Sequence, residues 1–174
     1  MKQQYDCNNC QSLFGYARDV HKRSGGVCQL CKAGRGEKSN FALWRQLTVE
    51  HIVGRSQGGY RKEIRSAIDK RFPDFTSERK KDLTSRIDEA NTITACSFCN
   101  STTSRDRSYE MRQLITEAKG TSDDEVIEQI EQKLGEVLEK KQRCVSWKLL
   151  SIERRYNEEI KRELDEHPDR RKKI

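Results

Sequence analysis

Nowhere in its 174 residues does the chain carry eighteen consecutive apolar residues, so no membrane-spanning helix is expected. Its opening, Met1-Lys2-Gln3-Gln4-Tyr5, has no apolar h-region, so no secretory leader is expected. The length is enough for one core plus an appendage. Charge is plentiful. Lys and Arg number 35 against 28 Asp and Glu, a formal net charge of +7. That balance implies a polyanionic partner, or else an ordinary solvated basic surface. Of seven cysteines, six fall in CxxC pairs: Cys7/Cys10, Cys28/Cys31 and Cys96/Cys99. This pattern favours metal binding over disulfides, and therefore a reducing, cytoplasmic setting.

The chain divides into four parts. Residues 1–24 hold the first CxxC pair and a helical pattern with Leu13, Tyr16, Ala17 and Val20 on one face, broken at Ser24-Gly25-Gly26. Residues 25–120 form the central domain. In it, Val27 to Cys31 reads as a metal knuckle at a tight turn. Phe41 to Val53 is apolar and β-branched enough for one or two strands. The 60–90 stretch reads as a helical hairpin, with Ile64, Ile68 and Phe72 on one face and Leu83, Ile87 and Ala90 on the other. Ser77 is its expected second cap, and Asn91 to Cys96 is a short strand. One helix is expected after the second knuckle, through Met111, Leu114 and Ile115 to Gly120. Residues 121–166 are helical. Ser122 and Glu125 form a capping-box pattern, and Ile127, Ile130, Leu134, Val137, Val145, Leu149, Ile152 and Tyr156 recur at helical spacing. Cys144 is expected as a buried small hydrophobe on this helix. Residues 167–174 are a basic tail.

Three segments carry the chemistry: Val27-Cys28-Gln29-Leu30-Cys31, then Leu47-Thr48-Val49-Glu50-His51-Ile52-Val53-Gly54 with Gly58-Gly59, then Asn91-Thr92-Ile93-Thr94-Ala95-Cys96-Ser97-Phe98-Cys99-Asn100. In this order they resemble the HNH nucleases, the ββα-metal class, over much of residues 25–105. The resemblance implies an α+β, mostly helical chain: a ββα-metal core stapled by zinc, with a helical insertion at 60–90 and a helical C-terminal region. It implies that His51 is the general base and that Glu50 and Asn100 ligate a catalytic Mg2+ or another divalent cation. It implies that Asn91 tethers the loop carrying the base. Cys28, Cys31, Cys96 and Cys99 would hold a structural Zn2+. The rival zinc set is Cys7/Cys10 with Cys28/Cys31; otherwise three roles stay open for Cys7 and Cys10: a second zinc with His21 and another ligand, a pairing across a dimer, or free thiols. Asn100 equally suits a helix N-cap, and Asn91 an ordinary turn. Adjacent strand residues face opposite sides, so the strand must end or twist for Glu50 and His51 to serve one site.

The 60–90 insertion is longer than is usual in the family and mixes bases with acids, as a DNA-contacting arm or a packing element would. Thr103 stands where the family often has a basic residue; Arg105 or Arg107 can take over the phosphate contact. The expected function is a DNA endonuclease acting on double-stranded DNA, as a homodimer, in restriction or phage defence, a mobile element or a phage. The alternatives are a zinc-stapled nucleic-acid-binding module without catalysis, and a protein-interaction module built on residues 122–166.

Overall fold

A computed structural model describes residues 18–36, 41–103, 109–120 and 122–167. Helix α1 occupies residues 18–23 and ends where Gly25 and Gly26 adopt positive φ of 61° and 71°. A short helix α2, Phe41–Trp44, precedes strand β1, Leu47–His51. Strand therefore begins later than the run from Phe41 suggested: its first residues make a helical turn, closed by backbone bonds Arg45 N–H to Phe41 O and Gln46 N–H to Leu43 O. Strand β2, Thr92–Cys96, pairs antiparallel with β1, with Glu50 opposite Ile93 and His51 opposite Thr92.

Between the strands lie α3, Arg61–Arg71, and α4, Ser77–Ala90. The hairpin forms as its spacing predicts, but Thr76, not Ser77, caps α4: its hydroxyl accepts from Arg79 N–H. After β2 the chain makes α5, Ser97–Thr102, and α6, Met111–Glu117, two helices in place of the one expected. Helix α7, Asp123–Arg155, opens on the expected capping box and places three acidic residues in its first turn, where the helix dipole favours them. It is about 50 Å long at 1.5 Å per residue. A π-helical turn, Tyr156–Lys161, and α8, Arg162–Glu166, extend it.

One apolar cluster joins these elements. Ile64 and Ile68 of α3, Leu83 and Ile87 of α4, Ile93 and Ala95 of β2, Met111 and Ile115 of α6, and Val126, Ile130, Leu134, Val137 and Val145 of α7 all belong to it. The insertion is thus a packing element. Three of its arginines reach neighbouring helices: Arg79 and Arg86 form exposed pairs with Asp123 and Asp124 of α7 at 2.8 and 2.5 Å, and Arg71 donates to the Thr116 and Ala118 carbonyls closing α6. The apolar stripe of α7 is buried as far as Val145. Past it, Ile152 is 49% and Tyr156 44% exposed, although their spacing continues the stripe. Cys144 is half-buried, not fully buried, because it sits on the flank of that stripe. Among the described residues no helix is long and apolar enough to cross a membrane.

Candidate functional site

The antiparallel register sets Leu47 against Cys96, so the start of β1, the end of β2 and the first turn of α5 meet at one corner. There the Sγ atoms of Cys28, Cys31, Cys96 and Cys99 lie within 4.8 Å of one another, and those of Cys31 and Cys96 are 3.9 Å apart. Four sulfurs about 2.3 Å from a tetrahedral zinc sit about 3.8 Å apart, so the donor set and its dimensions fit a structural zinc. Lys32, with φ of 65°, turns the chain directly after Cys31. Burial pushes the Cys28 thiol up, but backbone N–H groups of Cys31 and Cys96, at 3.5 and 3.3 Å from its Sγ, help bring it below its usual value. Burial pushes Cys31 up to about 11, and Cys99 higher still. A bound cation is what would let all four ionise.

The resemblance-derived set is the one assembled here. Cys7 and Cys10 lie outside the described residues. His21, their suggested companion, is buried, with Nδ1 2.9 Å from Thr94 Oγ1 and its ring edge-on to Trp44.

At the other end of β1 the chain leaves the sheet through a loop, Ile52 to Tyr60. Asn91, fully buried, holds it. Val53 N–H donates to Asn91 Oδ1 at 2.8 Å, and Asn91 Nδ2 donates to the carbonyls of Val53 at 3.0 Å and Gly59 at 2.8 Å. The backbone approaches so closely that a Cβ on Gly59 would lie 1.6 Å from the Val53 oxygen. Glycine is therefore required there.

Glu50, His51 and Asn100 all line one open cleft of about 830 Å³. His51 is the last residue of β1, which is how two adjacent strand residues come to face one space. Burial holds the His51 imidazole below its ordinary value; Asp88 and Glu50 pull it upward, and Lys141 pushes it down again. The lowered value favours the neutral ring, the form that accepts a proton. Tyr60 stacks on it, with ring centroids 4.3 Å apart and planes inclined 13°. Asn100 lies inside α5, and Cys96 occupies the cap position, so the N-cap reading of Asn100 falls. Its Nδ2 donates to Thr48 Oγ1 at 2.9 Å, while that hydroxyl donates to the Ala95 carbonyl at 3.0 Å. Thr48 must therefore accept from Asn100, which fixes the amide with its Oδ1 on the opposite side.

Two residues that line the cleft, Tyr60 and Lys141, and one that acts on His51 from α4, Asp88, were not visible in the sequence. Tyr60, the residue before α3, belongs to no motif. Asp88, buried on α4, acts electrostatically on His51 and is itself raised by burial. Lys141 of α7 is 4% exposed, with Nζ 2.8 Å from Glu50 Oε1 and 3.1 Å from the His51 carbonyl. Its one legible signal is a lysine within the Val137–Val145 apolar stripe. Arg105 and Arg107 lie outside the described residues.

Glu50 and Asn100 offer one carboxylate and one amide oxygen, hard donors of the kind Mg2+ takes alongside waters and substrate phosphate. They fit such an ion provided that Lys141 yields its place on Glu50. No protein-family model, no curated protein and no solved structure matches the chain.

Proposed function

We propose that the chain is a metal-dependent endonuclease of the HNH, ββα-metal class, hydrolysing phosphodiester bonds of double-stranded DNA. The observation that carries this reading is the gathering of Glu50, His51 and Asn100 on one cleft, beside a loop clamped by Asn91. In this reading the neutral His51 ring takes a proton from a water. The water oxygen bonds to phosphorus, the bond to the leaving oxygen breaks, and that oxygen departs as an alkoxide, which takes a proton from solvent water while His51 releases its own to solvent. Tyr60 stacked on the imidazole, and Asn91 behind the loop, keep the ring aimed into the cleft. Glu50 and Asn100 would hold the divalent cation, which supplies charge neutralisation at the phosphate. Zinc at Cys28, Cys31, Cys96 and Cys99 would hold β1, β2 and α5 in register. Incubation of supercoiled plasmid with zinc-loaded protein and Mg2+ tests the reading: nicked or linear product is expected, and none with His51→Ala.

A homodimer belongs to this proposal. Trp147, Leu150, Ile152, Tyr156 and Ile160 are 75, 62, 49, 44 and 49% exposed along the end of the helix, apolar surface available to a second copy. Two sites on one duplex would permit breaks in both strands.

One observation favours a second reading, a zinc-stapled nucleic-acid-binding module without catalysis. Lys141 already neutralises Glu50. Under that reading the plasmid stays intact while DNA binding weakens steeply with salt.

A further inference from the structure

Helix α7 buries Leu134, Val137, Lys141 and Val145 in one line, and the third of these is an ammonium where the spacing asks for an aliphatic group. A buried lysine is costly unless paired. Here the pair is Glu50, whose side chain is 19% exposed against 5% for Lys141. Two of the three ammonium N–H groups are used, on Glu50 Oε1 and on the His51 carbonyl, and the side chain lines the cleft. Lys141 therefore sits on the carboxylate that the proposed function assigns to a divalent cation, from a helix far along the chain. Two cations on one carboxylate repel each other.

We propose that Lys141 is the resident cation of Glu50: a divalent ion gains that carboxylate by displacing the ammonium, which then takes a phosphate oxygen of a polynucleotide in the cleft. This rests on the nuclease reading for the assignment of Glu50. The displaced ammonium stays in a buried setting and needs a new anion. A phosphodiester supplies one, and Arg55 at the cleft rim adds a second positive charge. Cation and polynucleotide therefore bind cooperatively, and by linkage each strengthens the other by the same factor. Helix α7 thereby withholds the cation from a site without substrate.

The test is Mn2+ titration of full-length, zinc-loaded protein, following free Mn2+ by electron paramagnetic resonance. Every protein carries His51→Ala, so that added duplex DNA stays intact. Lys141→Met, which keeps the aliphatic stem, should bind Mn2+ about tenfold or more tightly than the Lys141 parent, and Lys141→Arg should not. Glu50→Gln should remove the difference between them. Short duplex DNA should tighten Mn2+ binding in the parent more than in Lys141→Met. Should Lys141→Met fold poorly without metal, Mn2+ should raise its Tm more than that of the parent. Equal or weaker Mn2+ binding by Lys141→Met, or an equal or smaller Tm rise where it is destabilised, overturns the proposal. The two readings fail separately. A wild-type protein that cuts plasmid, with Mn2+ affinity indifferent to Lys141, sinks the displacement alone. A wild-type protein that never cuts, with tighter Mn2+ binding in Lys141→Met, sinks the nuclease reading and leaves the competition standing.

Discussion

Asn91 and Val53 exchange two hydrogen bonds: the Val53 N–H donates to Oδ1 at 2.8 Å, and Nδ2 donates to the Val53 carbonyl at 3.0 Å. This clamp joins the end of α4 to the loop that follows His51.

Asn91→Ala should unlock that loop. It leaves buried backbone groups unpaired, each costing about 1–3 kcal/mol. Urea unfolding should show the loss. Gly59→Ala should damage the same clamp sterically, since its Cβ has no room beside the Val53 oxygen. If both variants match the parent in stability, the clamp carries no weight.

Much of this region was legible in the sequence, and the reason is local. CxxC spacing, glycines and the pattern of Glu50, His51, Asn91 and Asn100 place donors close together through short loops and one strand pair. The α3–α4 hairpin and the α7 capping box were likewise written in periodicity and cap chemistry. Lys141 was not, because its partner Glu50 is separated by 91 positions and only packing of α7 brings them together. The split between α5 and α6 was missed because apolar spacing alone does not mark where a helix stops. The cap position at Cys96 was missed because Cys96 makes no side-chain cap hydrogen bond and is not a residue type that marks a helix start.

The tetrathiolate site predicts one tightly held zinc that depends on Cys28, Cys31, Cys96 and Cys99. Cys96→Ser or chelation should unfold the core, since structural zinc supplies folding free energy. Elemental analysis with circular dichroism checks it. A protein that keeps its zinc after Cys96→Ser and loses it after Cys7→Ser with Cys10→Ser would contradict this set.

Acid should weaken the fold through His21. Burial lowers its pKa, so the unfolded chain binds the proton more readily. Stability contributed by the neutral ring is complete above the unfolded value of about 6.5 and declines as pH falls below it. Tm measured from pH 7.5 to 5.5 should fall less steeply in His21→Gln than in the parent. Equal slopes would remove His21 from the pH response.

Truncation divides the two jobs of α7. Ending the chain after Gly120 removes Val126 to Val145 from the core and should prevent folding. Ending it after Ser146 keeps those residues and removes Trp147, Leu150, Ile152, Tyr156 and Ile160. Sedimentation should then show a folded monomer in place of a dimer, and plasmid should be nicked more than broken. A shortened protein that remains dimeric would move the interface elsewhere.

The most direct measurement is cleavage of supercoiled plasmid by zinc-loaded wild type and His51→Ala, with Mg2+ and with EDTA at a concentration that spares the zinc. Loss of a general base typically lowers rate about 10²–10⁴-fold. Cation-dependent nicking or linearisation by wild type, with that loss in a folded His51→Ala protein that still binds DNA, is the predicted result. Equal cleavage by a folded His51→Ala protein, or no cleavage by wild type with any divalent cation, would contradict it.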